Sequence, residues 1–465
     1  MQLGDILESV SLDVATSSIE ITNVEIDSRL CVPGSLFFAL AGGHTSGNRF
    51  VDDAADHGAL AAVSSERVVA SIPVVIVPES QLRAMLAHAS SAIVGHPEFQ
   101  ASLVGVTGTN GKTSVTTLVS ALARALGWNG ASIGTLTNER TTPASPELFR
   151  TLSALVTGFE PERVSSVVAL EVSSHALDQR RVEGLRFTVA VFTNLSHDHL
   201  DYHRTMDEYF EAKARLFNPE HAKRAVIWCD DSYGARLADM ATLPVTRVHR
   251  SDASDVTESL QGTIFFWRGH LVNTPLVGDY NVDNALMAME ILLSLGAGEA
   301  EIATAMADVA SVPGRFEVVN TDGIIVIVDY AHTPEGLRRL LEDVRRLVGT
   351  GRIITVFGCG GDRDRAKRPE MGEVASRNSQ ITIVTSDNPR SESPDAIIDS
   401  IIEGTVAGAT VLRSRDRRSA IQEALRLAEP GDVVVLAGKG HETTQVVGDQ
   451  VLEFDDRIIA RELLK

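Results

Sequence analysis

Cysteine is scarce in this sequence: Cys31, Cys229 and Cys359 are the only three in 465 residues, far apart and without a CxxC pair. That argues against a disulfide scaffold and a zinc ribbon, and it fits a reducing compartment. Positive charge is also in short supply. Forty-two Lys and Arg stand against 62 Asp and Glu, a formal net charge of −20, which argues against a partner that is nucleic acid. A small anionic ligand is still admissible, because it needs only a local positive pocket. No apolar run approaches the ~20 residues of a membrane helix, so no membrane insertion is expected. The opening MQLGDILESV lacks the basic and apolar regions of a signal peptide. Low-complexity tracts and repeats of solenoid period are absent too. What is present is an ordinary folding composition, 44% hydrophobic and 22% charged. At roughly 150 residues per domain it suffices for about three domains. The expectation is an acidic, soluble, cytoplasmic protein.

Residues 1–98 mix short β-rich runs (IEITNVEID, GSLFFAL, PVVIVPE) with Gly-rich turns and read as a small α/β domain. Residues 99–312 open with the strand SLVGVTG and a helix, then continue through apolar strands near 166–171, 188–194 and 224–229. Val312-Pro313-Gly314 punctuates the next boundary. Over 313–465 the runs IIVIVDY, RIITVFG, QITIVTS and DVVVLAG are separated by helix-length amphipathic segments. Strand and helix in alternation predict βαβ units and a mostly parallel, doubly wound sheet. The fold class is therefore α/β, in three domains. Ligands of such sheets sit beyond the carboxyl ends of the strands. Those ends carry Asp329, GCGGDRD, SDNPR and GKGHE here.

T-G-T-N-G-K-T-S follows the strand SLVGV and precedes the helical VTTLVSALARAL. That arrangement wraps phosphates in backbone N–H groups, with Lys112 reaching the terminal phosphates and Thr113 ligating Mg²⁺. The bland alternative is a turn that only caps a helix. Gly105 and Gly111 enclose one residue more than the common loop does. Glu171 ends the apolar run SVVALE; beside a phosphate loop it could hold Mg²⁺, or it could be an ordinary strand-terminal carboxylate. TNLSHDHLDYH concentrates His197, Asp198, His199, Asp201 and His203. Alternate His spacing admits a zinc site there, and a solvated polar turn equally.

GTNGKTS, over Gly108–Ser114 with its extra residue, resembles the ATP loop of the Mur ligase family and its folylpolyglutamate synthase relatives. These are ADP-forming ligases that join an amino acid to a carboxylate through an acyl phosphate. The resemblance implies ATP as co-substrate, held by Gly108, Thr109, Asn110, Gly111, Lys112, Thr113 and Ser114. NLSHDHLDYH followed by YFEAKARLF is similar to the stretch that supplies the family's metal-binding His and carbamylated Lys, and His199 and Lys213 match. It implies catalytic roles for Lys112, His199 and Lys213, and Mg²⁺ held by Thr113, Glu171, His199 and a CO₂-derived carbamate on Lys213. A carbamate requires a neutral, partly desolvated amine; without the resemblance Lys213 reads as a salt-bridging surface residue. His197 stands where many relatives carry Arg. GDYNVDNALMAM is similar to the family's adenine-contacting segment, which implicates Asn281 and Asn284, with Tyr280 where Phe is usual. Both Asn could also serve as helix caps. Arg315, Asp329 and His332 match positions near the nucleotide and the inter-domain cleft.

The same resemblance extends to the substrates. IDSRLCVPGSLFFALAGGHTSGNRF is similar to the UDP-binding segment of the family's amino-terminal domain, which implicates Ser28 and the GGHTSG turn. Folylpolyglutamate synthases lack that domain. Thr141 and Thr142 of RTTPAS, and Ser173, Gln179 and Arg181 of SSHALDQRR, match positions that hold the dipeptide and sugar of UDP-MurNAc-L-Ala-D-Glu. Singly, each could be an N-cap or a surface polar residue. FGCGGDRDRAKRPEMG, TSDNPRSESP and AGKGHET are similar to the branch that adds meso-diaminopimelate. There Arg368, Asp387, Asn388, Pro389, Arg390, Gly438 and Glu442 are implied to surround the distal carboxylate and amine. An Arg can pair bidentately with that carboxylate, whereas DNPR by itself predicts only an Asx-Pro turn. The implied protein is a monomeric peptidoglycan-precursor ligase. Alternatives are a ligase that adds lysine or ornithine, a folate-directed ligase, or a non-catalytic paralogue. Intact Lys112, Glu171 and Lys213 argue against the last.

Overall fold

The run SLFFA lacks polar alternation because both faces of its strand are covered. In the computed structural model, which describes residues 1–465 except Ser9, Gly43, His44, Glu139 and the Asp201 side chain, Ser35–Ala39 lies in a four-stranded parallel sheet. Its partners are Asn23–Glu25, Ala59–Ser64 and Val74–Ile76, with all four strands in chain order. Leu36, Phe38 and Val63 share a core with Leu82 and Leu86 of the helix Glu79–Ile93. Phe37, Ala39 and Ala62 pack on the other side with Val51 and Ala54. Gly43 and His44 of the GGHTSG turn lie outside the described residues.

The second sheet has six strands, all parallel, in the spatial order Val245–Val248, Ala225–Trp228, Val189–Phe192, Ser102–Thr107, Ser166–Glu171, Asn129–Ile133. Ser102–Thr107 is where this order reverses: the chain builds one side of it first and the other side later. Such a switch point opens a crevice beyond the strand's carboxyl end, and residues 108–111 lie there. The helix Lys112–Ala125 that follows buries Val115, Leu118, Val119 and Leu122. They join Val282, Leu286 and Met289 of Asp279–Ser294 in one core. A three-stranded antiparallel sheet (Ala253–Ser259, Gly262–Trp267, His270–Thr274) adds Phe265, Trp267 and Val272 to it, and its alternate residues Ile264 and Phe266 are exposed.

The third sheet matches the expected doubly wound pattern. Ile325–Asp329, Val433–Ala437, Ile353–Phe357, Ile381–Thr385 and Val411–Ser414 lie side by side and parallel. Three short elements go beyond the expectation: the antiparallel edge strand Glu317–Asn320, the edge strand Val411–Ser414, and the hairpin of Thr444–Val447 with Gln450–Glu453. Each strand has four residues and none is fully buried, too little for a periodic signal. At the head of this region Gly314, at φ +64°, lies against the turn of GKGHE; a Cβ on Gly440 would come within 2.7 Å of the Gly314 carbonyl oxygen.

Behind the carboxyl ends of this sheet, Arg417 and Asp456 form an ion pair with no exposure on either side chain. Arg417 Nε and Nη2 donate to Asp456 Oδ1 and Oδ2 at 2.9 and 2.7 Å, and Nη2 also donates to the Ala437 carbonyl at 2.9 Å. The pair ties the helices Arg417–Leu427 and Asp456–Leu463 to the strand that leads into GKGHE. Truncating one partner of such a pair strands the other charge in the interior. Arg417→Ala should therefore lower the unfolding free energy by about 3–5 kcal/mol, measured by urea denaturation. Arg417→Met combined with Asp456→Leu should recover most of that loss; a single variant as stable as the parent would show the pair to be dispensable.

Candidate active site

The loop after Ser102–Thr107 takes its shape from glycine. Gly108 has φ +149° and Gly111 φ +85°, and a Cβ on Gly111 would lie 2.7 Å from Asn284 Oδ1. The loop is braced from the neighbouring strand's end. Thr109 N donates to the Asn194 carbonyl at 2.9 Å, Asn110 N to Asn194 Oδ1 at 2.9 Å, and Thr193 Oγ1 to the Asn110 carbonyl at 2.6 Å. Lys112 Nζ folds back onto the Gly108 and Thr109 carbonyls at 2.9 and 2.8 Å. Lys213, from the helix Met206–Ala214, donates to the same Gly108 carbonyl at 2.8 Å.

Thr113 Oγ1 donates to Glu171 Oε2 at 3.0 Å, and Thr135 N to Glu171 Oε1 at 2.8 Å. Burial pushes the Glu171 carboxyl above its ordinary range, against the pull of Lys112; burial pushes Lys112 down, against the pull of Glu171. A hydroxyl and a desolvated carboxylate are the hard oxygen donors that Mg²⁺ takes, so these residues fit that ion. Lys213 is 1% exposed. Burial, and then the Lys112 ammonium, hold its amine well below the ordinary lysine range, and its Nζ lies 4.5 Å from the centre of the Tyr209 ring. A desolvated amine with a lowered pKa is what a carbamate requires. His199 shares the wall and is held below the ordinary imidazole value by burial, with Asp198 opposing at 3.4 Å. Among the described residues no group of three or more His, Cys, Asp or Glu could hold a metal ion, so the alternate histidines make no zinc site of that kind.

Two cavities meet at the loop. The larger, of about 860 Å³, runs from Asn110, Gly111 and Ser114 past Asn284 and Trp228 to Asp329 and Arg339. The smaller, of about 540 Å³, is lined by Lys112, Thr113, Glu171, His199 and Lys213 on one wall and by His332, Asp387, Asn388, Arg390, Gly438 and Glu442 on the other. Asn110, Gly111, Arg315 and Tyr330 border both, and the Arg315 guanidinium lies 4.3 Å over the Tyr330 ring. Eight Lys and Arg face the smaller cavity against five Asp and Glu. The larger has the opposite balance, four Arg against nine acids. Asp329 accepts from Tyr280 Oη, Phe316 N and Ala331 N, each at 2.7 Å. Those bonds fix the entry to the third sheet.

Most of the expected residues border one cavity or the other, including Thr109, Thr141, Thr142, Ser173 and Arg181 in the smaller one. Six do not. Arg368 faces inward from the helix Lys367–Asn378 and is spent on Glu392, with Nη2 and Nη1 donating at 2.9 and 3.1 Å. Arg363, five residues earlier in GCGGDRDR, faces the cavity instead. Asn281 is buried against the Val277 carbonyl at 2.7 Å and supports Asn284 from behind. Gln179 accepts from Arg181 Nη2 at 2.7 Å and so orients a lining residue. Gly108 presents its carbonyl to the two lysines, and Pro389 lies within its turn. Ser28 begins the short helix Ser28–Leu30 on the first domain, away from both cavities. Sequence reasoning missed Arg140, Arg363, Lys367 and Tyr330, all of which line the smaller cavity. Arg363 and Lys367 lie just after a strand's carboxyl end, so position in the doubly wound sheet was the available signal.

Residues 20–93 match the family model of the Mur ligase family catalytic domain, residues 106–292 the Mur ligase middle domain, and residues 314–440 the Mur ligase glutamate ligase domain. The UDP-N-acetylmuramoyl-L-alanyl-D-glutamate–2,6-diaminopimelate ligase of Gloeobacter violaceus is 43% identical, covering 100% of this chain and 98% of its own length. The ligase of the same description from Geobacillus thermodenitrificans is 41% identical over 96% of this chain and 95% of its own. A solved structure of a UDP-N-acetylmuramoyl-L-alanyl-D-glutamate–2,6-diaminopimelate ligase superposes with a TM-score of 0.69 at 30% identity, covering 100% of this chain and 98% of that one. The MurF ligase of Thermotoga maritima in complex with ADP shares the fold, with a TM-score of 0.65 at 18% identity over 95% and 96% of the two chains. With three family models along the chain and full-length relatives above 40% identity, the chain belongs to the Mur ligase family.

Proposed function

We propose that this protein joins meso-diaminopimelate to the D-Glu side-chain carboxylate of UDP-MurNAc-L-Ala-D-Glu, with ATP converted to ADP and phosphate. The names of its full-length relatives support the substrates. The observation that carries the chemistry is the phosphate loop standing between two cavities of opposite charge balance. A nucleoside in the larger, acidic cavity has its phosphates drawn toward Lys112 and the basic one. There the γ-phosphorus meets the acceptor carboxylate. A carboxylate oxygen attacks that phosphorus and the bond to ADP breaks, leaving an acyl phosphate. The amine of the incoming amino acid then attacks the acyl carbon, loses a proton, and expels phosphate from the tetrahedral intermediate.

The residues act mainly by positioning and by neutralising charge. Lys112 and the N–H groups at the start of Lys112–Ala125 receive the γ-phosphate. Thr113 and Glu171 would hold Mg²⁺, with His199 and a carbamate on Lys213 as further ligands; bound there, the ion spreads the negative charge of the transferring phosphoryl group. Thr141, Thr142, Ser173 and Arg181 hold the acceptor, and Asn284 the adenine. Arg390 and Arg363 flank Gly360: a Cβ there would lie 3.0 Å from Arg390 Nη1 and 3.7 Å from Arg363 Cγ. Their guanidinium groups bracket the second carboxylate of diaminopimelate.

The division into 1–98, 99–312 and 313–465 is supported by one large, mainly parallel sheet in each part, with Val277 packing across into the core of the third and Ser28 carrying the UDP end on the first. We take a monomer as the working unit. Among the described residues no helix is long and apolar enough to cross a membrane, and the nucleotide substrates favour the cytoplasm.

An amino-acid panel assayed with UDP-MurNAc-L-Ala-D-Glu and ATP tests the substrate, with diaminopimelate expected to be used far better than lysine or ornithine. Arg390→Ala should raise the diaminopimelate KM about tenfold to a hundredfold, the value of hydrogen bonds to a charged group. The KM values for ATP and the UDP-dipeptide should barely move. A parent that uses lysine as well as diaminopimelate would remove the reason for this pocket. Lys213→Ala should abolish most turnover while nucleotide binding survives, and a short carboxylic acid in the buffer should restore part of it by standing in for the carbamate. Full activity of Lys213→Ala without any additive would refute the carbamate.

A further inference from the structure

Lys439 is a buried cation that the reaction above leaves unused. Its side chain has 0% exposure, and it borders neither cavity. An ammonium has three N–H donors and no acceptor. Here Nζ donates to the Thr444 carbonyl at 2.7 Å, to Glu442 Oε2 at 2.9 Å and to Asn388 Oδ1 at 3.4 Å. Its donors are thus taken up by three segments: the GKGHE turn, the DNPR loop and the first strand of the hairpin. The neighbouring bonds run the same way. Asn388 Nδ2 donates to Glu442 Oε2 at 2.8 Å, Val446 N to Asn388 Oδ1 at 2.9 Å, and Gln445 Nε2 to the Asp387 carbonyl at 2.7 Å.

Glu442 and Asn388 both face the smaller cavity, so what fixes them fixes the amino-acid pocket. We propose that Lys439 is a positioning residue for the amino acid, holding the Glu442 carboxylate and the Asn388 amide in the orientation that receives the amine-bearing end of diaminopimelate. Glu442 Oε2 already accepts from Lys439 and Asn388, so the carboxylate meets the ligand's ammonium through Oε1. Asn388 accepts through Oδ1 and donates through Nδ2, and that pattern allows only one orientation of its amide. Without the ammonium, Glu442 loses a charged donor and must be ordered when the ligand binds, a cost taken from affinity.

This inference rests on reading the smaller cavity as the amino-acid site. Lys439→Met should raise the KM for diaminopimelate by about tenfold or more, with kcat less affected and the KM values for ATP and the UDP-dipeptide nearly unchanged. Because Lys439 acts through Glu442, the same substitution made on Glu442→Gln should add little, a non-additivity that general destabilisation would not produce. Lys439→Gln, which keeps a donor but not the charge, should fall between parent and Lys439→Met. Equal changes in all three KM values, full additivity with Glu442→Gln, or loss of the melting transition in both Lys439 variants would overturn the assignment. If the parent prefers another amino acid, the reading of the substrate fails while the cycle run with that amino acid still decides the role of Lys439. A parent that uses no amino acid refutes both.

Discussion

Two lysines converge on one carbonyl. Lys112 and Lys213 both donate to the oxygen of Gly108, and much of the site follows from keeping two amines so close in a buried place. Two full ammonium charges there would repel strongly at low effective dielectric. Burial pushes both amines below the ordinary lysine range; Glu171 and Asp198 oppose it at Lys112, while the Lys112 ammonium adds to it at Lys213. The two amines that meet at this carbonyl, one from the strand-to-helix junction and one from Met206–Ala214, thus differ in their surroundings: Lys112 has Glu171 beside it, and Lys213 a like charge. Gly108, at φ +149°, is what turns its carbonyl toward both.

The charge of the whole protein hides the charge of its site. A chain with net charge −20 concentrates basic groups around the smaller cavity and acids around the larger. The charge along the crevice is therefore polarised from one end to the other. The acidic exterior matters for solubility; the local imbalance matters for orientation.

Much of this was legible in the sequence, because backbone-driven features leave strong local signals. The loop at Gly108–Ser114, Glu171 at a strand's end and the four long strands of the third sheet are each set by glycine, by burial on both faces or by an adjacent turn. Less legible was the direction a side chain takes once it is on an element. Arg368 and Arg363 are both arginines of one motif, yet a position on a helix turns the first toward Glu392 while a position on the preceding loop leaves the second facing the crevice. Asn281 and Asn284 differ in the same way: one turn of helix separates an inner residue from a lining one. Lys439 shows the reverse limit. The sequence singles out Gly438 and Glu442 of its motif and passes over Lys439, and only the three acceptors around its Nζ draw attention to it.

The contact between Gly314 and Gly440 has a mechanical meaning. No side chain separates the segment that enters the third sheet from the turn carrying Glu442. If the C-terminal region swings about residues 312–314, that turn sits almost on the axis of rotation. Points near an axis translate little, and points far from it sweep widely. Glu442 and Asn388, tied together through Lys439, would hold their place beside Arg315 throughout the swing. Arg363, on the loop after Ile353–Phe357, belongs to the same unit, since Gly361 N donates to the Asn388 carbonyl at 2.9 Å, and would keep its distance from them. The amino-acid pocket would then keep its shape through the swing, and what changes would be its distance from the phosphate loop.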